Sequence, residues 1–165
     1  QALADLYTLN LERGGIDGSH VAIVGRVEHR NVNAWLLGLS LFQDITISVF
    51  SLSGAINPEI LSLCVERGVK FREVNSMDEL KNTDVVYLNA PRTEAHANLL
   101  RSRGIPAINI NQEFMDSLDD RAIVMNPIQR SGDFSIEVVD ERLAFYRQSE
   151  NALIVRMAVL TDILT

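Results

Sequence analysis

The chain has 165 residues, and its composition of 47% hydrophobic and 22% charged residues is typical of a folded globular domain rather than a disordered segment. Its formal net charge is −7 and its lysines and arginines form no run, so we expect no nucleic-acid partner, because such a surface needs clustered basic residues. No apolar stretch approaches the roughly 18 residues of a membrane span, so we expect no membrane partner either.

The single cysteine bears on the redox environment. Cys64 lies in the apolar stretch 59–65, which is typical of a small buried residue rather than a nucleophile. One cysteine cannot form an intramolecular disulfide, and this fits a reducing compartment. We therefore expect a cytoplasmic protein.

The first residues predict a helix without a proper beginning. Residues 1–9 place apolar side chains at positions 2, 3, 6 and 9, and no capping residue precedes them. We interpret this segment as a helix cut in the middle, and we expect the chain to be a piece of a longer protein.

Apolar runs bounded by turn residues alternate with segments of helical periodicity along the rest of the chain. The predicted strands are residues 20–25, 45–50, 69–74, 84–89, 107–110 and 122–125. The predicted helices are residues 31–43, 57–68, a short one from 76, 93–103, 112–118 and a tail at 138–164 that is broken near Tyr146. The alternation predicts an α/β fold, a three-layer Rossmann-like domain whose mainly parallel sheet is flanked by helices. We expect residues 1–165 to form one domain.

Arginines cluster where such a fold binds its ligands, in the crevice beyond the carboxyl ends of the strands. Three of the four loops expected there carry arginine, namely Arg26 and Arg30, Arg92, and Arg130. Arginine offers a planar, bidentate donor to carboxylate or phosphate. Each arginine alone is also compatible with a solvated loop charge, but the group indicates an anionic small-molecule ligand.

Other sites common on such sheets are not predicted. The first candidate loop, GRVEHR at 25–30, lacks the glycines of G-x-G-x-x-G, and its bulky side chains would keep a pyrophosphate from the backbone. No Walker A motif, zinc-type spacing or H-E-x-x-H occurs, so we predict no metal site. His29 is the histidine of functional interest, because it lies in this loop. His20 and His96 are expected to be structural and solvent-facing, respectively.

Three segments match known motifs. QALADLYT at 1–8 is similar to the helix after the motif H-P-T-Q-x-L-L-D-L-Y-T, and VAIVG at 21–25 to the strand before a G-D-x-x-x-x-R loop. AFYRQSENALIVRMAVL at 144–160 is similar to the ending Y-F-x-Q-x-x-N-G-x-x-x-R-x-A-L-L. These motifs belong to the aspartate carbamoyltransferases of the aspartate/ornithine carbamoyltransferase family. The chain resembles them in order and spacing over essentially its whole length.

The resemblance implies the second of that family's two domains, which binds L-aspartate while carbamoyl phosphate is held mostly by the first. The aspartate amine attacks the carbamoyl carbon and expels phosphate, a step of pyrimidine biosynthesis that uses no metal or organic cofactor. The first domain would contact helices at 1–13 and 146–165, and without it we expect this chain alone to be inactive. The resemblance also implies a homotrimer.

The resemblance further assigns roles to particular positions. Gln1 falls on the glutamine that contacts the carbamoyl group, and the backbone carbonyl of Ile128 falls in a loop that reads H-P-L-P-R in the family. The implied substrate-binding residues are Arg30, Asn31, Arg92, Gln129 and Arg130.

Several positions depart from the family pattern. Arg26 replaces the aspartate of G-D-x-x-x-x-R, and Asn31 takes the place of its arginine. A second aspartate-binding arginine falls on Ala90, while Arg92 takes the place of a glutamine. Asn126 replaces the histidine of H-P-L-P-R. These departures suggest relaxed or redirected chemistry on a retained fold.

Two hypotheses follow. In the first, Arg30 and Arg92 compensate for the missing arginines, and the parent protein is an aspartate carbamoyltransferase or a relative with another acceptor. In the second, the parent is a catalytically inactive homologue that serves in assembly or in sensing an anion.

Overall fold

The computed structural model describes residues 1–89, 94–104, 108–127, 134–136 and 138–165. The helices are α1 (Ala2–Arg13), α2 (Arg30–Leu39), α3 (Pro58–Glu66), α4 (Glu94–Ser102), α5 (Gln112–Ser117) and α6 (Phe145–Leu164), with a 3-10 helix at Met77–Leu80. The strands are β1 (His20–Arg26), β2 (Thr46–Ser53), β3 (Lys70–Glu73), β4 (Val85–Asn89), β5 (Ile108–Ile110), β6 (Ile123–Met125) and β7 (Phe134–Ile136).

Five strands form one parallel sheet in the order β3-β2-β1-β4-β6. Its central strands are apolar runs, and residues 21–25 of β1 and all five residues of β4 are buried. Continuous burial along a strand is typical of a parallel sheet that helices cover on both faces. The predicted α/β fold with a mainly parallel sheet is confirmed.

Strand β4 contributes alternate side chains to the two cores beside the sheet. Tyr87 faces the core formed with α1 to α3, where Trp35 stacks on it with ring centroids 5.2 Å apart and an interplanar angle of 19°. Val86 and Leu88 face the opposite core, where they join Met115 of α5. Both aromatic rings are fully buried, so their stacking adds to the burial of a large apolar area.

A local cap signal predicts where α3 begins. Pro58 stands at the first helical position, and the Asn57 side chain accepts a hydrogen bond from the Glu59 N–H at 2.9 Å. Proline at this position and asparagine at the cap are both favoured, because they satisfy or avoid the orphan donors of a helix start. The predicted start of α3 is confirmed.

The tail differs from its prediction. Residues 138–144 are a loop rather than a helix, because their backbone pairs with β6. The Val124 N–H donates to the Arg142 carbonyl at 2.8 Å, and the Ala144 N–H donates to the Val124 carbonyl at 2.9 Å. Helix α6 therefore begins at Phe145, and it continues through Tyr146, where a break was predicted.

Two other boundaries also differ from the sequence predictions. Helix α2 ends at Leu39 rather than near residue 43, and the turn that follows places Asp44 at a φ of 53°. Strand β5 pairs in parallel with β7, which was not predicted, and not with the five-stranded sheet.

Helix α6 is 20 residues long, and much of its second half is exposed. Leu153, Ile154, Met157 and Leu160 each keep more than half of their surface accessible. Within the described residues, no helix is both long enough and apolar enough to cross a bilayer.

The buried thiol of Cys64 gives a direct test of the packing of α3. Its Sγ donates to the Leu36 carbonyl at 3.6 Å, and burial raises its pKa above the ordinary value. We expect maleimide to leave Cys64 unlabelled in the folded protein and to label it in denaturant, because the thiolate is the reactive form. Mass spectrometry of the peptide containing Cys64 measures the labelling. Rapid labelling under native conditions would contradict this packing.

Candidate functional site

The carboxyl ends of β1 and β4 approach each other closely. Gly25 has a φ of +116°, and a Cβ built on it would lie 2.3 Å from the backbone oxygen of Asn89. The Asn89 side chain donates through Nδ2 to the Arg26 carbonyl at 2.6 Å. Glycine is therefore required at position 25, and the two strand ends form one rigid edge of the candidate site.

At this edge Arg26 is already paired. Its Nε lies 3.2 Å from Glu28 Oε1, and Ser53 Oγ donates to the same carboxylate oxygen at 3.3 Å. The arginine that stands in place of the family's aspartate thus has its charge offset within the loop. An anion bound by Arg26 would therefore share its guanidinium with Glu28.

The start of α2 lies directly after this loop. The ring nitrogen Nδ1 of His29 accepts a hydrogen bond from the Asn31 N–H at 3.3 Å, so His29 caps the helix. Arg30 is exposed and Asn31 is half-buried at the same helix end. Because a helix amino end carries partial positive charge, an anionic ligand is favoured beside these two residues.

A buried carboxylate joins three elements of the fold. Asp5 of α1 has 0% of its surface exposed. It accepts hydrogen bonds from Gln1 Nε2 at 2.7 Å, from Gln148 Nε2 of α6 at 2.7 Å and from the Tyr87 hydroxyl of β4 at 2.9 Å. We call these four residues, Gln1, Asp5, Tyr87 and Gln148, the Asp5 network.

Burial shifts the pKa values of the two titratable groups in the Asp5 network, Asp5 and Tyr87. It raises the pKa of Asp5 from the ordinary 3.8, while the hydrogen bonds from Gln148, Gln1 and Tyr87 lower it. Burial also raises the pKa of Tyr87 well above the ordinary 10.0, and the charge of Asp5 adds to that rise. The Tyr87 hydroxyl therefore stays a neutral donor near neutral pH.

The Asp5 network reaches the loop after β6. Gln148 Oε1 accepts a hydrogen bond from the Asn126 N–H at 2.9 Å. A cavity of about 180 Å³ is lined by Gln1, Pro127, Gln148, Ser149, Ala152 and Arg156. The structure thus brings the predicted catalytic residue Gln1 together with Pro127, which directly precedes Ile128.

The other predicted site residues are only partly described. Arg30 and Asn31 lie at the carboxyl edge of the sheet, as expected from their position after β1. Arg92, Ile128, Gln129 and Arg130 lie outside the described residues.

The described histidines have structural contacts. His20 Nε2 lies 2.7 Å from Ser48 Oγ, and its Nδ1 lies 2.9 Å from the Asn82 carbonyl, so its predicted structural role is confirmed. The side chain of His96 is outside the described part. No group of three or more His, Cys, Asp or Glu side chains suited to a metal ion occurs among the described residues.

Sequence reasoning missed the roles of Asp5, Tyr87 and Gln148. A signal was present for one of them, because Asp5 shares a helix face with the buried residues Thr8 and Leu9. A carboxylate on the apolar face of a helix must be satisfied by buried partners. Those partners come from residues 82 and 143 positions away, and local patterns do not reveal them.

Two larger cavities that are lined by described residues, each of about 370 Å³, are less suitable as the candidate site. One lies at the amino edge of β6 beside Arg142 and Arg147, which already bind Asp140 and Glu12. The other lies at the ends of β2 and β3, with Phe71 and Leu61 in its apolar lining. Neither contains Gln1 or the residues at the start of α2.

The fold and this edge define a parallel α/β domain with a ligand crevice beyond its carboxyl strand ends. A family model described as aspartate/ornithine carbamoyltransferase, Asp/Orn binding domain, matches residues 17–163. The chain belongs to this family and contains that domain.

Individual relatives agree with the family match. The "Multifunctional protein CAD" of Squalus acanthias is 31% identical over 168 residues, which cover 99% of this chain and 8% of that protein. The catalytic subunit of M. Jannaschii aspartate transcarbamoylase superposes with a TM-score of 0.82 at 28% identity, covering 96% of this chain and 53% of that one.

Aspartate transcarbamoylase from Trypanosoma cruzi is similar in the same way. Its structure in complex with carbamoyl phosphate and aspartate superposes with a TM-score of 0.81 at 27% identity, covering 96% of this chain and 52% of that one. It has also been solved with N-(phosphonacetyl)-L-aspartate, with a TM-score of 0.75. The chain spans about half the length of these solved relatives.

Proposed function

We propose that this chain is the aspartate-binding domain of an aspartate carbamoyltransferase, which carries out a step of pyrimidine biosynthesis. The observation that carries this proposal is the cavity that Gln1 and Pro127 line together at the carboxyl edge of the sheet. The resemblance places Gln1 on the carbamoyl group and Ile128 in the loop that follows Pro127. The Trypanosoma cruzi relative supports the substrates, because its structure holds carbamoyl phosphate and aspartate.

In the proposed reaction the aspartate amine nitrogen attacks the carbamoyl carbon and forms a C–N bond. The C–O bond to phosphate breaks, and its electron pair leaves with phosphate, which also takes up the proton that the amine loses. The step needs no covalent bond between protein and substrate. Orientation of the two substrates and fixed donors at the developing oxyanion therefore supply the rate enhancement.

We propose that a preceding domain covers α1 and α6 and supplies most of the carbamoyl phosphate site. Residues 1–165 then form one domain of a two-domain subunit, and the resemblance further suggests that three subunits associate. Exposed apolar side chains on both helices support this, namely Leu3, Leu11, Leu153, Ile154, Met157, Leu160, Ile163 and Leu164. Covering such surface stabilises an interface by about 25 cal/mol per Å² of apolar area buried.

A second candidate is a carbamoyltransferase with a different acceptor or a catalytically inactive homologue. Arg26 is held by Glu28, and Asn31 stands where the family has an arginine. Removing one partner of a buried charged pair costs about 2–5 kcal/mol in binding, so an unreplaced arginine weakens aspartate binding by a factor of tens to thousands. Exposed Arg30, one residue away, is the described arginine best placed to substitute.

A turnover assay on the complete gene product distinguishes these candidates. Carbamoyl phosphate is mixed with L-aspartate, L-ornithine or another amino acid, and phosphate and the N-carbamoyl product are measured. Our proposal expects phosphate release that depends on L-aspartate. Product from another amino acid would favour the second acceptor, and no product from a folded protein would favour an inactive homologue.

Arg30→Ala is expected to weaken binding of N-(phosphonacetyl)-L-aspartate to the complete protein by about tenfold or more, because a hydrogen bond to a charged group contributes about 1.5–3 kcal/mol. Arg92→Ala is expected to act in the same direction. Arg121→Ala is the matched control, since Arg121 is an exposed arginine before the amino end of β6. Calorimetry measures each dissociation constant. If both site variants bind as the control does, these arginines are surface charges.

A further inference from the structure

The Asp5 carboxylate is bound entirely by neutral donors among the described residues. Its Oδ1 accepts from both glutamines, Gln1 and Gln148, and its Oδ2 accepts from the Tyr87 hydroxyl. Burying a carboxylate whose hydrogen bonds all come from neutral groups is unfavourable, and an apolar side chain in its place avoids that cost. The buried charge of Asp5 therefore offsets part of the stability that its hydrogen bonds provide, and those hydrogen bonds point to a positioning role.

The Asp5 carboxylate determines which way two amide groups face. An amide has a donor end and an acceptor end, and a carboxylate accepts only. Because Oδ1 takes the Nε2 group of both glutamines, the Oε1 atom of each is left to accept from another partner. For Gln148 that partner is visible, since its Oε1 accepts the Asn126 N–H at 2.9 Å.

The same logic applies to Gln1, which lines the 180 Å³ cavity beside Pro127. With its Nε2 held by Asp5, Gln1 offers Oε1 to a ligand. A carbonyl oxygen recognises an N–H donor, and the carbamoyl group of carbamoyl phosphate carries an NH₂ group. A glutamine rotated by 180° would present its own NH₂ there and repel that group.

We propose that Asp5 is a positioning residue that orients Gln1 toward the carbamoyl NH₂ group and, through Gln148, holds the backbone N–H of Asn126 directly after β6. This inference rests on the proposed function. Beyond that function, we infer that one buried carboxylate organises two separate parts of the site.

The test is a double-mutant cycle in the complete protein. Asp5→Leu removes the acceptor of both glutamines and Gln1→Ala removes the positioned group, and kcat and KM for carbamoyl phosphate are measured for each variant and for the pair. If Asp5 acts through Gln1, Asp5→Leu lowers kcat/KM at least tenfold in the unsubstituted protein and by a clearly smaller factor in the Gln1→Ala background, where only its action through Gln148 remains. If the two substitutions lower kcat/KM by factors that simply multiply in the double variant, the inference is overturned.

Binding of N-(phosphonacetyl)-L-aspartate separates positioning from general damage. This compound lacks the carbamoyl NH₂ group, so loss of Gln1 orientation is expected to change its dissociation constant less than threefold. A weakening equal to the loss in kcat/KM would show a merely structural role for Asp5. If the unsubstituted protein neither turns over nor binds the compound, the proposed function fails, and the inference fails with it.

Three further variants sharpen the cycle. Asp5→Asn keeps an oxygen that accepts from both glutamines and is expected to retain most of kcat/KM. Tyr87→Phe removes the third hydrogen bond without touching either glutamine, so kcat/KM is expected to fall by a smaller factor than in Asp5→Leu. Asp116→Leu is the surface control, since Asp116 also accepts from a glutamine four residues earlier, Gln112, at 2.7 Å.

A second variant tests the inference even if Asp5→Leu does not fold. Gln148→Met leaves Asp5 and Gln1 in place and releases the Asn126 N–H. The inference expects a loss of at least tenfold in kcat for this variant. An unchanged kcat in folded Gln148→Met protein would overturn the role of Gln148.

Discussion

Gly25→Ala is expected to destabilise the protein by about 3 kcal/mol or more, the largest effect of a single added methyl group that we foresee. Its φ of +116° is a conformation that L side chains rarely adopt, which costs about 1–3 kcal/mol. Its Cβ would lie 2.3 Å and 2.9 Å from the backbone oxygen and carbon of Asn89, so β4 must move, at a further cost of about 1–3 kcal/mol. Thermal unfolding of the complete protein measures the loss.

Gly68→Ala separates the cost of backbone strain from the cost of steric overlap. Gly68 has a φ of +91°, but a Cβ there meets no atom within 4 Å, so its substitution carries strain without overlap. We expect a cost of about 1 kcal/mol, because only backbone conformation is affected. Equal losses in the two variants would show that β1 and β4 do not meet as closely as described.

Asp5→Leu is expected to lower stability near neutral pH by about 2–4 kcal/mol. It leaves the Tyr87 hydroxyl and Gln148 Nε2, both buried, without their acceptor, and each unsatisfied donor costs about 1–3 kcal/mol. Relief of the buried charge offsets part of that loss. The smaller change Asp5→Asn keeps an acceptor for the glutamines and should cost less.

The pH dependence of stability distinguishes the unsubstituted protein from Asp5→Asn more sharply than stability at one pH does. Because burial raises the pKa of Asp5 above 3.8, the folded state binds more protons than the unfolded state over the interval between the two values. The stability of the unsubstituted protein should therefore fall, relative to Asp5→Asn, as pH rises from about 4 through the raised pKa. Unfolding temperatures of both proteins across this range measure the difference. A difference that grows in the opposite direction would contradict the burial of Asp5.

Much of the fold is predictable because its determinants are local. The run of apolar residues in β1 and β4 reports burial on both faces, and Asn57 with Pro58 reports the start of α3. The loop at 138–144 was mispredicted because its backbone hydrogen bonds go to Val124, about 20 residues earlier. Periodicity within the segment carries no information on that partner.

The candidate site was likewise predictable only in part. Gln1, Arg30 and Asn31 were identified by resemblance and by position after β1, and the structure places them at the carboxyl edge of the sheet. The pairing of Arg26 with Glu28 and the Asp5 network were not predicted. They depend on side-chain directions and on contacts between α1, β4 and α6, which only the assembled fold defines.

The most direct test of the proposed function is a calorimetric titration of the complete gene product with L-aspartate at a saturating concentration of a phosphonate analogue of carbamoyl phosphate, which cannot react with it. Saturable binding of L-aspartate that is weakened by Arg30→Ala and unaffected by Arg121→Ala is the result that we predict. Absence of binding by a folded, unsubstituted protein would contradict an aspartate-binding site at this edge of the sheet.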